Sequence, residues 1–393
     1  MLLRTFLFFV VVSSIVCSLT YYLLKKRLGL SRTGNQILFA TLATTMFLLV
    51  AGPMTYRLAN LAPSNPLNFS IQWAQYFLMG WAGTILITFG TLEIIQLLIS
   101  LDTKPFDPSK RIFLTEGVAK GLLATATLSV VGGFAEAQMG PKVEPVTIKL
   151  KSLPESFDGM TLAQISDIHI GPLLNKAFLE NVVDQVMALN ADFIFITGDL
   201  VDGSVKQIQE LVEPLRKLKA KDGIYFCTGN HEYYSGAEEW IQYLEAMGIH
   251  VFKNSNLVFT RGNSKILIGG VFDWHGGNFF PTHETNPKKA AETMEPVSCK
   301  ILLAHNPKSI DGAAEAGFNL QLSGHTHAGQ FYPFVFVVKI VLKHVEGLYQ
   351  INESTQLYVN RGTGYWGPPN RLGKRSEITH FTLRCDHLIA SRT

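Results

Sequence analysis

"LAQISDIHIGP", residues 162–172, begins as a buried strand and ends as something else. Ala163, Ile165 and Ile168 suit a sheet interior. Asp167 and His169 then place a carboxylate and an imidazole two residues apart where the strand should stop, just before Gly171 and Pro172. The same ending recurs downstream. "ADFIFITGDL" (191–200) is an apolar strand closing on Gly198-Asp199, and "GIYFCTGNHE" (223–232) is another closing on Asn230-His231. Between these strands, "NKAFLENVVDQVMALN" (175–190) has helical spacing, with Phe178, Val182, Val183, Val186 and Leu189 on one face. "VKQIQELVEPLRKLKA" (205–220) is also helical until Pro214 kinks or stops it. Strand–helix–strand repetition with apolar strands is the pattern of βαβ units around a buried sheet. Asp199 follows Asp167 by 32 positions and Asn230 follows Asp199 by 31, each about one such unit of roughly 30 residues. Asp167, His169, Asp199, Asn230 and His231 are therefore expected at one carboxyl edge, where α/β sheets place their ligands.

The pattern continues with fewer helices. "VEPVTIKLKS" alternates around Val146–Leu150 as a leading strand, "KILIGGVFDW" ends at Asp273, "CKILLAHNP" ends at His305, and "NLQLSGHTHAGQ" ends with His325 and His327. "QLYVNRGTGYWGPPN" and "EITHFTLRC" read as later strands around a Gly/Pro/aromatic loop. Without a long helix between every strand, this set suggests a second, more antiparallel sheet packed on the first, with helices outside.

The first third differs in kind. The 393-residue chain is 47% apolar and 17% charged, with positive mean hydropathy, too apolar for an ordinary soluble enzyme. The apolar residues concentrate in runs at 5–24, 37–54, 71–100 and 117–135. About four transmembrane helices are expected over residues 1–140, followed by a catalytic domain over 141–393. A signal peptide at the start is disfavoured by Lys25, Lys26 and Arg27 where a cleavage site would lie. The fourth run, with Lys120 and several glycines, has an interfacial helix as its alternative. Lys25, Lys26, Arg27 and Arg32 in the first loop, and Lys104, Lys110 and Arg111 in the third, against Arg57 alone in the second, put the odd loops inside. With four spans the catalytic domain is then extracytoplasmic or lumenal; with three it is cytoplasmic. Sequons at Asn68 and Asn352 would be usable outside, although so short a motif carries little weight. Glu93 is the one acid within the third run, and without paired acids in other spans it gives a transporter little support. A net charge of +3 with no long basic block gives nucleic-acid binding little support, and four scattered cysteines form neither a disulfide framework nor a zinc spacing.

The polar strand ends together supply Asp167, Asp199, Asn230 and five histidines: His169, His231, His305, His325 and His327. Imidazole and carboxylate ligands suit borderline divalent metals. A carboxylate can bridge two ions, which at about 3.5–4 Å would clamp an in-line displacement at phosphorus and acidify a bridging water. A neighbouring His could protonate the leaving oxygen.

In order, "DIH", "GDLVD", "GNHE", "AHNP" and "GHTH" resemble the motif series of the calcineurin-like metallophosphoesterase superfamily. The likeness covers about residues 145–385 and is strongest to its membrane-anchored members, whose C-terminal segment "NRGTGYWGPPNRLGKRSEITHFTL" also resembles. It implies an α/β fold, a two-sheet β-sandwich flanked by helices. It implies two divalent metal ions (manganese, iron or zinc), with Asp167, His169 and His327 on the first, Asn230, His305 and His325 on the second, and Asp199 bridging. His231 is then the catalytic acid or phosphate contact. The implied activity is a membrane-bound, metal-dependent phosphoric ester hydrolase using metal-activated water on a phosphodiester, pyrophosphate or phosphomonoester. Membrane anchoring makes a lipid-linked phosphate an attractive partner. The alternative is a metal-binding scaffold on the same fold, expected to lose the motif histidine retained here as His231. Asp202, Glu232 and Asp273 are candidates for orienting ligands, and Arg361, Tyr365 and Trp366 for contacting phosphate or an apolar substrate group. His250, His275, His283, His344, His380 and His387 are read as structural.

Overall fold

The computed structural model of the protein describes residues 2–58, 66–100 and 116–386. Lys104, Lys110, Arg111 and His387, which the sequence reading used, lie outside the described residues. The chain forms two compact units. One comprises Met1–Gln138 with Phe331–Phe336 and Gly367–Gly373, and the other the remainder.

Among the described residues, the first unit contains four long helices: α1 (Leu2–Leu28), α2 (Arg32–Leu58), α3 (Pro66–Ser100) and α4 (Val118–Gln138). Among the described residues, three stretches are long and apolar enough to cross a membrane: Arg32–Val50, Phe69–Leu98 and Val118–Gln138. Leu24, Ile85, Phe89 and Ala119 form a buried contact between helices, while Ile37, Phe39, Phe47, Leu97, Leu98 and Leu128 are exposed. Large apolar side chains pointing outward along a whole helix suit lipid rather than water. Glu93 is not alone: Lys26 Nζ lies 2.9 Å and Arg27 Nη2 2.6 Å from its carboxylate. Its partners come from the end of α1, 66 and 67 residues away, so the acid closes a helix–helix ion pair.

The second unit is a two-sheet sandwich. Its elements in chain order are β1 (Lys142–Leu150), β2 (Thr161–Ile165), α5 (Lys176–Ala188), β3 (Phe193–Thr197), α6 (Val205–Val212), β4 (Ile224–Cys227), α7 (Asn230–Ser235), α8 (Ala237–Ala246), β5 (His250–Val251), β6 (Ser255–Arg261), β7 (Ser264–Gly270), α9 (Pro287–Ala290), β8 (Cys299–Leu303), α10 (Ile310–Glu315), β9 (Leu320–Ser323), α11 (Phe334–Val341), β10 (Gly347–Gln350), β11 (Gln356–Val359) and β12 (Glu377–Cys385). The sheets run β1-β12-β2-β3-β4-β5 and β10-β11-β9-β8-β7-β6. In the first, β2 through β5 are parallel, as the βαβ spacing implies, and β12 runs antiparallel to β2 and parallel to β1. The second sheet is the more antiparallel of the two, as expected, with two antiparallel pairings against one in the first. Its centre, β7, β8, β9 and β11, is parallel, and only β6 and β10 at the edges pair antiparallel. The short α9 and α10 serve as crossovers between its central strands, which is why the sequence shows no long intervening helix.

Alternate residues of both sheets meet in one core. Leu162, Phe195, Ile268, Ile301, Leu322 and Phe381 all belong to it, while the opposite face of the second sheet packs Leu302, Val359, Ile310 and Phe318 beneath α10. Every residue of β3 is buried, as a central strand covered on both faces requires. On α5 the buried face is Leu179, Val182, Val183 and Val186. Phe178 and Leu189, expected inward, are only half-buried at its margins.

Candidate metal centre

The parallel strands β2, β3, β4, β8 and β9 each end just before a polar residue, so the sandwich delivers Asp167, Asp199, Asn230, His305 and His325 to one edge. Asp167, His169, Asp199, His325 and His327 all leave their strands with φ between 49° and 73°. A non-glycine residue there costs roughly 1–2 kcal/mol, and such conformations cluster at functional sites. Glycine is required where these turns crowd together. A Cβ on Gly324 would lie 2.1 Å from Asp167 Oδ2, and one on Gly229 would lie 2.2 Å from Asp199 Oδ1. The "RGTG" stretch closes over the same turn, Thr363 N–H donating to the Ser166 carbonyl (2.7 Å) and Gly364 N–H to that of Asp167 (3.0 Å).

Three interlocking groups of side chains could hold a metal ion: Asp167, His169 and His327; His169, Asp199 and His231; Asp199, His305 and His325. Within them, His169 Nε2 faces His327 Nε2 at 3.1 Å, and His325 Nδ1 faces His305 Nε2 at 3.2 Å. Ligand atoms about 2.1 Å from a common ion sit about 3 Å apart, the separation these pairs show. The tautomers agree. His305 Nδ1 lies 2.8 Å from the Thr197 carbonyl, which can only accept, so His305 keeps Nε2 for a ligand. Asp199 Oδ2 lies 3.1 Å from His305 Nε2 and 3.8 Å from His169 Nε2, which puts this carboxylate in two of the three groups. Asn230 is buried and its Oδ1 has no hydrogen-bond partner, a neutral oxygen left available beside Gly229. These donors fit divalent cations of the borderline class.

Electrostatics sort the histidines. Burial works against charge on His231, but Asp199 and Asp202 outweigh it and raise its pKa to about 9. Burial and the neighbouring His305 push His325 down to about 4, leaving it a neutral donor. His305 shifts upward against its burial because Asp199 faces it, and Asp199 shifts downward for the reciprocal reason.

Asp202 has a larger part than its sequence reading gave it. Its Oδ1 lies 2.5 Å from His231 Nδ1 and 3.2 Å from His169 Nδ1. One carboxylate thereby fixes the ring of His231 and the ring of a candidate ligand. Burial would raise its pKa, but His169 and His231 hold it below the ordinary aspartate value. Glu232 is fully buried and accepts from the backbone N–H groups of Gly229 (2.6 Å), Leu200 (2.8 Å) and Asp199 (3.0 Å). It binds the "GDL" and "GNHE" turns to each other. Burial and the neighbouring Asp199 raise its pKa to about 7.

The remaining candidates divide. Asp273 is buried and accepts from the backbone N–H of His275 (2.9 Å), and the His275 ring lies 6.4 Å from that of His325. Arg361 is committed to Glu144 (3.0 Å) and Glu377 (2.5 Å) and so braces β12 instead of meeting phosphate. Tyr365 is buried. Trp366 is 49% exposed, with its ring centroid 5.4 Å from that of His231. Gln330 grips its backbone on both sides, donating from Nε2 to the Trp366 carbonyl (3.0 Å) and accepting the Trp366 N–H at Oε1 (2.9 Å). Tyr234 lies on another side of His231, at 5.2 Å.

A two-sheet sandwich carrying a His/Asp metal centre at its parallel strand ends defines a class of metallohydrolase scaffolds. The family model for calcineurin-like phosphoesterases matches residues 160–329. The chain is 39% identical over 270 residues to the "Transmembrane protein with metallophosphoesterase domain" of Danio rerio, covering 67% of this chain and 62% of that one. It is 32% identical over 276 residues to the uncharacterized metallophosphoesterase YkuE of Bacillus subtilis, covering 67% of this chain and 94% of that one, and 30% identical over 320 residues to an uncharacterized metallophosphoesterase of Campylobacter jejuni, covering 79% and 82%. The chain therefore belongs to the calcineurin-like metallophosphoesterases. It spans less than two thirds of the zebrafish protein and, at 64%, of its bovine counterpart.

Because Asp202 orients a candidate ligand, Asp202→Asn is expected to weaken manganese binding by about 10–100-fold. Calorimetric titration of the full chain checks this; unchanged affinity would show that the Asp202–His169 contact does not support metal binding.

Proposed function

We propose that the protein is a dinuclear, membrane-bound phosphoesterase acting on a phosphodiester, pyrophosphate or phosphomonoester. The observation that carries this reading is the place of Asp199 in two of the three metal-binding groups, with His231 beside it. Asp167, His169 and His327 would hold one ion, Asn230, His305 and His325 the other, and Asp199 both. Manganese, iron and zinc all suit this donor set. Bound ions would neutralise the phosphoryl oxygens and lower the pKa of coordinated water. The chain's own side chains do the rest. The His231 N–H fixes Asp199 through its Oδ1 at 2.8 Å. The protonated His231 imidazole, held by Asp202, delivers a proton to the leaving oxygen as its bond to phosphorus breaks. Trp366 and Tyr234, both half-exposed around His231, border the leaving-group side.

His231→Ala is expected to lower kcat on bis-p-nitrophenyl phosphate by about 10²–10⁴-fold, the usual worth of a general acid, while metal content stays at the wild-type value. Unaltered turnover with metal retained would remove His231 from the chemistry and return the scaffold reading.

The second unit belongs, on this reading, outside the cytoplasm. Lys25, Lys26, Arg27 and Arg32 flank the first turn-around, and helix α4, which precedes the sandwich, would be the fourth span. Protease added to sealed, right-side-out vesicles should then digest the sandwich, and inverted vesicles should protect it. The opposite protection pattern would mean an odd number of crossings.

A further inference from the structure

Helix α11 reads "FVFVVKIV" and starts seven residues after His327, which places it directly downstream of two candidate ligands. It buries Val335 but leaves Phe336 61%, Ile340 86% and Val341 74% exposed, and Val337 is exposed beside them. Lys339 interrupts this apolar surface, and Lys343 and His344 follow it. The loop beyond is fastened to the metal-binding turn, since Thr326 Oγ1 donates to the Val345 carbonyl at 2.6 Å. The end of the helix and the residues after it form one wall of a cavity of about 350 Å³ that reaches His325. Val341 and Leu342 supply apolar lining, Lys308 and Lys343 supply positive charge against the single acid Asp311, and the half-exposed Trp274 also lines the cavity.

We propose that α11 lies in the boundary between lipid headgroups and acyl chains, and that the adjoining cavity receives a phosphoester carrying an apolar chain, drawn from that bilayer surface. The substrate half rests on the phosphoesterase reading; the placement of α11 does not. An apolar helix face flanked by lysines suits an anionic lipid surface. A lipid surface is also the partner that the chain's candidate membrane-crossing helices point to. A second protein would not explain lysines lining the cavity on the side of His325. A phosphoester headgroup does: its phosphorus reaches the centre, its negative charge meets Lys308 and Lys343, and its chain leaves along Val341 and Leu342.

The test uses the full chain in nanodiscs containing an anionic phospholipid. The four native cysteines are buried, so an environment-sensitive fluorophore on Ile340→Cys reports from that site alone, with Lys206→Cys on the exposed face of α6 as the aqueous reference. Nitroxide lipids labelled near the headgroup should quench the probe at 340 and not the one at 206; equal, weak quenching at both overturns the placement. Hydrolysis is then compared on bis-p-nitrophenyl phosphate and on p-nitrophenyl dioleoylglyceryl phosphate. In both, water oxygen bonds to phosphorus as the bond to nitrophenolate breaks. Ile340→Glu changes an exposed position that does not line the cavity. It should lower the rate on the lipid ester by about tenfold or more and leave the soluble ester within about twofold. Equal losses on both, or wild-type turnover of the soluble ester alone, overturn the lipid substrate. Turnover of neither by the wild type would instead sink the phosphoesterase reading, and the lipid substrate with it, while leaving the quenching result to stand or fall separately.

Discussion

A single buried carboxylate organises the site. Asp199 Oδ2 lies between His305 and His169, at 3.1 and 3.8 Å, and Oδ1 accepts the His231 N–H at 2.8 Å. Burying an unpaired carboxylate is costly, so its surroundings must supply cations and donors on both sides. They do so from both sheets: Asp199 follows β3, His305 follows β8, and His231 follows β4. The sandwich is the means by which chain segments 106 residues apart in sequence meet around one side chain. Its backbone is held as firmly, by the Glu232 carboxylate across the Asp199 and Leu200 amides and by the glycine opposite, which leaves room for its oxygen.

This arrangement stores strain where the chemistry is. Five candidate ligands occupy the left-handed region of φ, at roughly 1–2 kcal/mol each. The strands behind them offset that cost, because β2, β3, β8 and β9 are almost wholly buried, and dense cores tolerate little local adjustment. Rigid strands therefore hold turns that no isolated peptide would adopt. The close nitrogen–nitrogen approaches between His169 and His327, and between His305 and His325, are separations that two ligands of one cation would take.

Much of this was legible because strand periodicity and regular spacing are local signals. Asp167, Asp199 and Asn230 could be aligned by counting, and the structure brings them with His169, His231, His305, His325 and His327 to one edge. What could not be read depends on long-range contact. Asp202 sits in a turn and looks like a loop cap; only the fold sets it between two imidazoles. Arg361 lies in a Gly-rich loop and invites a phosphate, yet Glu144 and Glu377 claim it. Glu93 shows no partner nearby because Lys26 and Arg27 come from another helix. The parallel centre of the second sheet left no such signal, because a crossover can be as short as α9, too brief to leave a helical period in the sequence.

The central claim is that two cations share Asp199. Metal content per chain, measured by elemental analysis after manganese loading and gel filtration, tests it most directly when the wild type is set beside Asp199→Ala. The account predicts two ions per chain in the wild type and the weakening of both together in the variant. One ion in the wild type, or a variant that loses one ion and keeps the other at full occupancy, would contradict it.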